Sequence, residues 1–294
     1  MMPELTGRPL LDTVADTRLY ERRREHLLIK KSAMRRLNVL VTGDRGSGKT
    51  TELRQVQLSL RNDNLPVAFV DGKLADDAST FLELIRLELG EAPNLSRTLR
   101  ERYGRTLLPR PDRGEGRRVL DLIDAMKTDD EEAERVILLV DGLPSPELGH
   151  TLFGRLRDEL WQLPFNWVIA ADEREYAALM EPPADAFFDR QVELSPLTRD
   201  EQWSLLTKRN PLENWSRLED LFAVSEGNPR LLLTLARDAV DADYGIENVL
   251  AARAERELAA SQLGRPASML LAELEGMGSA SASDEELLKR LGWT

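Results

Sequence analysis

The chain has 294 residues, enough for one large domain or two to three small ones, and 41% of them are hydrophobic, which excludes a disordered polymer. It has no cysteine and two histidines, which excludes disulfides and thiolate metal sites. The net charge of −12 opposes general nucleic-acid binding. No apolar run is long enough to span a bilayer and no secretory signal opens the chain, so the expectation is a cytoplasmic protein with no membrane partner.

Residues 1–35 form a helical lead-in that contains the basic stretch "ERRREHLLIKK". The apolar run "NVLV" from Asn38 then predicts a buried strand, and "TELRQVQLSL" has the helical spacing of Leu53, Val56 and Leu60. Between them lies "GDRGSGKTT", residues 43–51, which fills G-x-x-x-x-G-K-[ST] with Gly43, Gly48, Lys49 and Thr50. Strand, glycine loop and helix form the context that makes this pattern a phosphate-binding loop. Gly43, Gly46 and Gly48 permit the required backbone angles. The loop Gly43, Asp44, Arg45, Gly46, Ser47, Gly48, Lys49, Thr50 and Thr51 is expected to surround a polyphosphate with its N–H groups and the positive end of the helix. Lys49 would reach the β- and γ-phosphates of ATP or ADP, and the Thr50 hydroxyl would hold Mg²⁺.

Four further strands are predicted: "PVAFV" from Pro66, "VILLV" from Val136, "NWVIAA" from Asn166 and "QVEL" from Gln191. Helical patterns separate them, so the expectation is an α/β fold: a parallel sheet with helices on both faces, three layers deep, over residues 36–195. Asp141 closes the apolar run "VILLVDGL" and is placed to hold Mg²⁺ through water; capping of the loop before Gly142 is the alternative. Between the second and third strands, "RTLRERYGRTLLPRPDRGEGRR" from Arg97 to Arg118 is rich in arginine. It is either a solvated helix and linker or a segment that contacts DNA or a polypeptide, with Arg105–Arg118 read as a loop for its prolines and glycines.

After Leu194 the strands stop and a helical lid is expected over residues 196–260. "PLTRDEQWSLL" opens a helix with a Thr198–Glu201 capping box. "NWSRLEDLFAVSEG" is a helix closed by Gly227, and "NPRLLLTLARDAV" is one with Asn228 as N-cap and Pro229 at its first position. "IENVLAARAERELAA" is a polar amphipathic helix. Residues 261–294 hold two more helices, and the second, ending "LGWT", fits either the start of an incomplete winged helix or an ordinary docking helix.

Taken in order, the phosphate loop, "VILLVDGL", "FFDRQVELSPLT" and "EGNPRLLL" resemble the AAA+/STAND ATPases, most of all the branch of the origin-recognition initiators. The resemblance runs from about Leu19 to the end, and "DGL" is also similar to the NACHT-type ATPases. It implies that Arg230 is the lid arginine, called sensor 2, that touches the γ-phosphate. It implies that Arg190 is an arginine finger acting on a neighbouring subunit's nucleotide, and that Leu19 and Tyr20 pack the adenine. An arginine in a helix's first turn opposes the dipole, which independently points to a nearby anion.

The chain departs from the family after Asp141. Gly142, Leu143, Pro144 and Ser145 stand where relatives carry a water-orienting acid, and Glu147 is the nearest carboxylate. Asp172 is the closest polar residue to the Asn or Thr usual at the end of the fourth strand. Slow hydrolysis is therefore expected, and with it a nucleotide-dependent switch that self-associates, engages a protein partner or assembles on DNA. The alternative is a nucleotide-bound scaffold that regulates a neighbouring effector, such as one in a mobile-element or antiphage system. A GTPase is disfavoured because no N-K-x-D segment reads guanine.

Overall fold

A computed structural model describes Leu5 and residues 23–104, 115–127, 135–143, 145–209, 218–242, 245–277, 287–288 and 291. The chain runs α1 (Arg23–Met34), β1 (Val39–Thr42), α2 (Lys49–Asn62), β2 (Val67–Val70), α3 (Ala78–Glu91), α4 (Arg97–Gly104), α5 (Glu115–Met126) and β3 (Val136–Asp141). It continues with α6 (Pro146–His150), α7 (Arg157–Trp161), β4 (Phe165–Ala170), α8 (Glu173–Leu179) and β5 (Arg190–Glu193). Then come α9 (Arg199–Arg209), α10 (Leu218–Ser225), α11 (Pro229–Asp241), α12 (Ile246–Gln262) and α13 (Arg265–Met277).

All five expected strands form, in one sheet of order β2-β3-β4-β1-β5 with every neighbouring pair parallel. Alternate residues of each strand enter opposite cores, as the two-residue period of a strand requires. Leu40, Val70, Leu138, Val140, Trp167 and Ile169 pack with Phe81, Ile85 and Leu89 of α3 and with Phe153 and Phe187. Val39, Val41, Phe69, Ile137, Leu139 and Val168 pack with Ile29 and Ala33 of α1 and Leu53, Val56 and Leu60 of α2. This is the three-layer arrangement expected from the sequence. β3 is buried along its whole length, while β5, at the sheet's edge, buries only Val192.

One buried polar residue locks the centre of the sheet. The Asn38 backbone N–H donates to Asp189 Oδ2 at 2.8 Å, its Nδ2 donates to the Phe187 carbonyl at 3.0 Å, and its Oδ1 accepts the Trp167 N–H at 3.2 Å. With its hydrogen-bonding groups used, Asn38 fixes the start of β1 against β4 and the approach to β5 without an uncompensated polar group.

The helices after β5 have their own core of Leu205, Leu206, Leu221, Phe222, Leu232 and Ala236, joined by Leu5. The Thr198–Glu201 box is formed: Thr198 N donates to Glu201 Oε2 at 2.8 Å and Glu201 N to Thr198 Oγ1 at 3.4 Å. Asn228 caps α11 and Pro229 takes its first position, as expected. α13 packs on α12.

One expectation changes. The stretch Arg105–Arg118 is not a loop to its end, because from Glu115 the chain is already helical. The spacing of Val119, Leu122, Ile123 and Met126 buries one face of α5 with the α3 layer and leaves Arg117 and Arg118 exposed. Residues 105–114 lie outside the described residues, as do 210–217 ahead of α10 and most of 278–294, the second half of the 261–294 stretch given to the winged-helix reading. Among the described residues no helix is long and apolar enough to cross a membrane.

Candidate functional site

The loop at residues 43–51 leaves the C-terminal end of β1, the edge at which parallel α/β sheets bind ligands. β4 separates β1 from β3, and the register places their ends level: Val41 pairs with Ala170, and Asp141 pairs with the same Ala170. Asp141 thus reaches the start of α2 across one intervening strand. The Thr50 hydroxyl lies 3.0 and 2.9 Å from the two Asp141 oxygens and donates to the carboxylate, which is only 6% exposed.

Gly43, Gly46 and Gly48 all take positive φ, at 145°, 83° and 97°. Ser47 N donates to the Asp44 carbonyl at 3.1 Å and closes the loop's inner turn. The Lys49 ammonium donates to the carbonyls of Gly43 at 2.6 Å and Asp44 at 3.2 Å, which lays its stem along the loop. Burial pulls its pKa below the ordinary lysine value, against the attraction of Asp172, Glu175 and Asp141. Thr51 follows in the first turn of α2, half-buried, and Asp44 is exposed at the loop's outer side.

The lid touches this loop directly. Asn228 Nδ2 donates to the Arg45 carbonyl at 2.7 Å, while its Oδ1 accepts the N–H groups of Arg230 and Leu231 at 3.1 and 3.2 Å. The Arg230 N–H also donates to the Gly46 carbonyl at 3.3 Å. A side chain at position 46 would bring a Cβ to 2.6 Å from Asn228 Oδ1 and 3.0 Å from the Arg230 Cβ, so the lid's approach requires glycine there. The Arg230 backbone and Cβ therefore stand beside the loop.

Two charged residues of the site were missed by sequence reasoning. Glu175, 6% exposed, accepts the Leu143 N–H at 2.7 Å and the Asp172 N–H at 2.6 Å, and Asp172 Oδ1 accepts the Glu175 N–H at 2.9 Å. This reciprocal pattern is a capping box, and the D-x-x-E spacing after the fourth strand was its signal. Burial, reinforced by Asp172, raises the Glu175 pKa to about 7, against the two backbone N–H groups and Lys73. The second is Lys73, after β2, whose Nζ lies 3.3 Å from Asp141 Oδ2. Its signal was its place in a loop at the ligand-binding edge of a parallel sheet.

Other expected residues fall elsewhere. Glu147 is exposed in the first turn of α6, where Ser145 caps the Leu148 N–H at 3.2 Å. Arg190, exposed at the start of β5, pairs with Val39, three residues before Thr42, so it lies about 10 Å down the sheet from the loop edge. Leu19, Tyr20 and Pro144 lie outside the described residues. Arg97 sits on α4 and pairs with Glu101 at 2.7 Å, a solvated ion pair of small energetic weight.

The donor set fits Mg²⁺. A threonine hydroxyl and one carboxylate are hard oxygen donors, and Mg²⁺ is ordinarily held by one or two carboxylates together with phosphate oxygens and water. Among the described residues no group of three or more His, Asp or Glu forms a self-sufficient metal cage.

Two predictions follow from this geometry. Because the folded Glu175 value lies above the unfolded 4.5, this group's stabilising contribution is full below about pH 4.5 and is lost as pH rises to about 7. Asp172, Lys73 and Lys49 are the charges that face it. Glu175→Gln removes that titration while costing one backbone hydrogen bond. Urea unfolding should show the variant's stability deficit narrowing by roughly 2–3 kcal/mol between pH 5 and pH 8; a constant deficit would contradict the burial argument. Asn228→Asp keeps the cap on α11 but cannot donate to the Arg45 carbonyl. Hydrogen exchange of residues 44–48 should quicken about two- to tenfold while the first turn of α11 stays protected; Asn228→Ala should loosen both.

No family model matches the chain, and no curated protein matches it by sequence. Solved structures do match in fold. Cdc6p from Pyrobaculum aerophilum has 17% identity and a TM-score of 0.55 over 94% of this chain and 71% of its own. The Orc1 protein of Aeropyrum pernix, solved in complex with DNA, has 17% identity and a TM-score of 0.54 over 95% of this chain and 79% of its own. A Walker-type ATPase of Pyrococcus abyssi has 16% identity and a TM-score of 0.53 over 98% of this chain and 93% of its own. In fold, the chain is an α/β P-loop domain with a helical lid that resembles the origin-recognition type of AAA+ ATPase.

Proposed function

We propose that this protein binds ATP and ADP with Mg²⁺ at residues 43–51 and acts as a nucleotide-dependent switch whose hydrolysis is slow in isolation. The observation that carries the reading is the convergence at one sheet edge of the glycine loop, Lys49, the Thr50–Asp141 pair and the lid's Arg230. The loop amides and the N-terminus of α2 bind the phosphates, and Lys49 exchanges its carbonyl partners for phosphate oxygens. Thr50 and, through water, Asp141 would hold Mg²⁺, which would supply neutralisation of the phosphate charge. Arg230 reads the γ-phosphate, and Leu19 and Tyr20 pack the adenine.

Slow turnover follows from what surrounds Asp141. Its own charge is committed to Thr50 and Lys73, Gly142 and Leu143 carry no acid, and the Glu175 carboxylate is engaged by two backbone N–H groups. Glu147 is the remaining candidate to orient water. A missing general base costs about 10²–10⁴ in rate. Arg190, a sheet's height from its own loop, serves the site of a second copy, so self-association or a protein partner completes the machinery. Binding of DNA through Arg97–Arg118 or a winged helix is the extension suggested by the DNA-bound Orc1 structure. The scaffold reading, in which bound nucleotide is retained and a neighbouring effector is regulated, shares the same observation of a missing acid.

Calorimetric titration tests the core of this proposal. Wild type should bind both nucleotides in Mg²⁺, and Lys49→Ala should weaken binding ten- to a hundredfold, the worth of one charge-assisted phosphate contact. No binding by the wild type, or preference for GTP, would end the reading. Arg230→Ala separates sensor from bystander: ATP affinity should fall roughly tenfold with ADP affinity almost unchanged. Equal loss, or none, for both nucleotides would retire its role.

A further inference from the structure

Lys73 is placed on Asp141 by construction. The turn Gly72–Leu74 after β2 is capped by Asp71, whose Oδ1 accepts the Lys73 N–H at 3.2 Å. Gly72 packs so closely on the end of β3 that a Cβ there would lie 2.1 Å from the Gly142 carbonyl oxygen. Gly142, at φ 73°, in turn makes the seat for the lysine stem, since a Cβ there would lie 2.5 Å from Lys73 Cε. Two glycines from separate loops thus leave one channel, and the lysine fills it. Its ammonium ends 3.3 Å from Asp141 Oδ2, the same oxygen that lies 2.9 Å from Thr50 Oγ1. The carboxylate is buried while the lysine side chain is half exposed, so the cation can withdraw to solvent and the anion cannot.

A buried carboxylate needs a cation beside it, because an unpaired buried charge is strongly unfavourable. We propose that Lys73 is a tethered cation of the phosphate site. It competes with divalent metal for Asp141, and it stands in for that metal beside the phosphates when nucleotide binds without it. The inference rests on the nucleotide-binding reading above and adds to it a residue that sets how strongly binding depends on metal. Lys49 and Lys73 then face the phosphates from opposite sides: one from the loop itself, the other from the end of a strand three positions away in the sheet. Lys73 is a positioning and binding group in this account, and no bond-making step is assigned to it.

The test is the ratio of ADP dissociation constants in excess EDTA and in excess Mg²⁺, measured by calorimetry on the whole chain. In the wild type the ratio should be modest. In Lys73→Met it should rise about tenfold, through weaker binding in EDTA, the effect of losing one charged contact to phosphate. Lys73→Arg, which keeps the charge, should stay near the wild-type ratio. Mn²⁺ affinity in the presence of ADP, read by electron paramagnetic resonance, should tighten several-fold in Lys73→Met because its competitor is gone. A thermal transition recorded alongside shows that the variant is folded, and Lys73→Gln replaces it if it is not. Unchanged ratios and unchanged Mn²⁺ affinity in a folded variant would overturn the role of Lys73 alone. Failure of the wild type to bind ADP even in Mg²⁺ would overturn the nucleotide reading and this inference with it.

Discussion

A hydroxyl at the first turn of α2 donates to a carboxylate at the end of β3, and the strand between them contributes neither partner. For Thr50 and Asp141 to meet, β1, β4 and β3 must end at one level, and each must be buried on both faces so that the level is held. A parallel ladder supplies the first condition and the two flanking helix layers supply the second. Asn38, at the other end of β1, prevents the strands from sliding by using its backbone and side chain on three separate partners. The position of the acid is therefore a property of the whole sheet rather than of its own loop.

Around that pair the charges are arranged in layers of increasing exposure. Asp141 and Glu175 are buried and bonded, Lys49 is partly buried along the loop, and Lys73 is half exposed. Burial opposes ionisation of Glu175 and Lys49 alike, raising one pKa and lowering the other. The Glu175 charge in turn offsets part of the effect of burial on Lys49. The lid adds a neutral contact to this charged site: one asparagine bonds the phosphate loop through its amide nitrogen and the N-terminus of α11 through its oxygen.

Much of the frame was legible in the sequence because it follows local rules. Continuous apolar runs such as "VILLV" announce strands buried on both faces, the glycine loop announces its own context, and capping boxes mark the start of α9. Misreading began where local and tertiary signals diverge. The glycines and prolines of Arg105–Arg118 argued for a loop, yet the apolar spacing that follows makes Glu115 onward helical, since burial against α3 outweighs the turn signal. Lys73 and Glu175 were overlooked for a different reason. The D-x-x-E box and the place of Lys73 after β2 are local signals, but strand order and register, joining residues 68 and 32 positions from their partners, are what bring them into the site.

The place of Arg190 has a consequence for symmetry. It begins the edge strand at the end of the sheet away from the phosphate loop, so one molecule presents the arginine and the loop on different faces. A contact that brings one copy's arginine to another's loop joins two unlike patches, head to tail. Such a contact leaves a free patch at each end of the pair and repeats until it closes on itself or runs on as a helix. Should Arg190 act as proposed, the assembly is a ring or a filament rather than a closed two-fold pair.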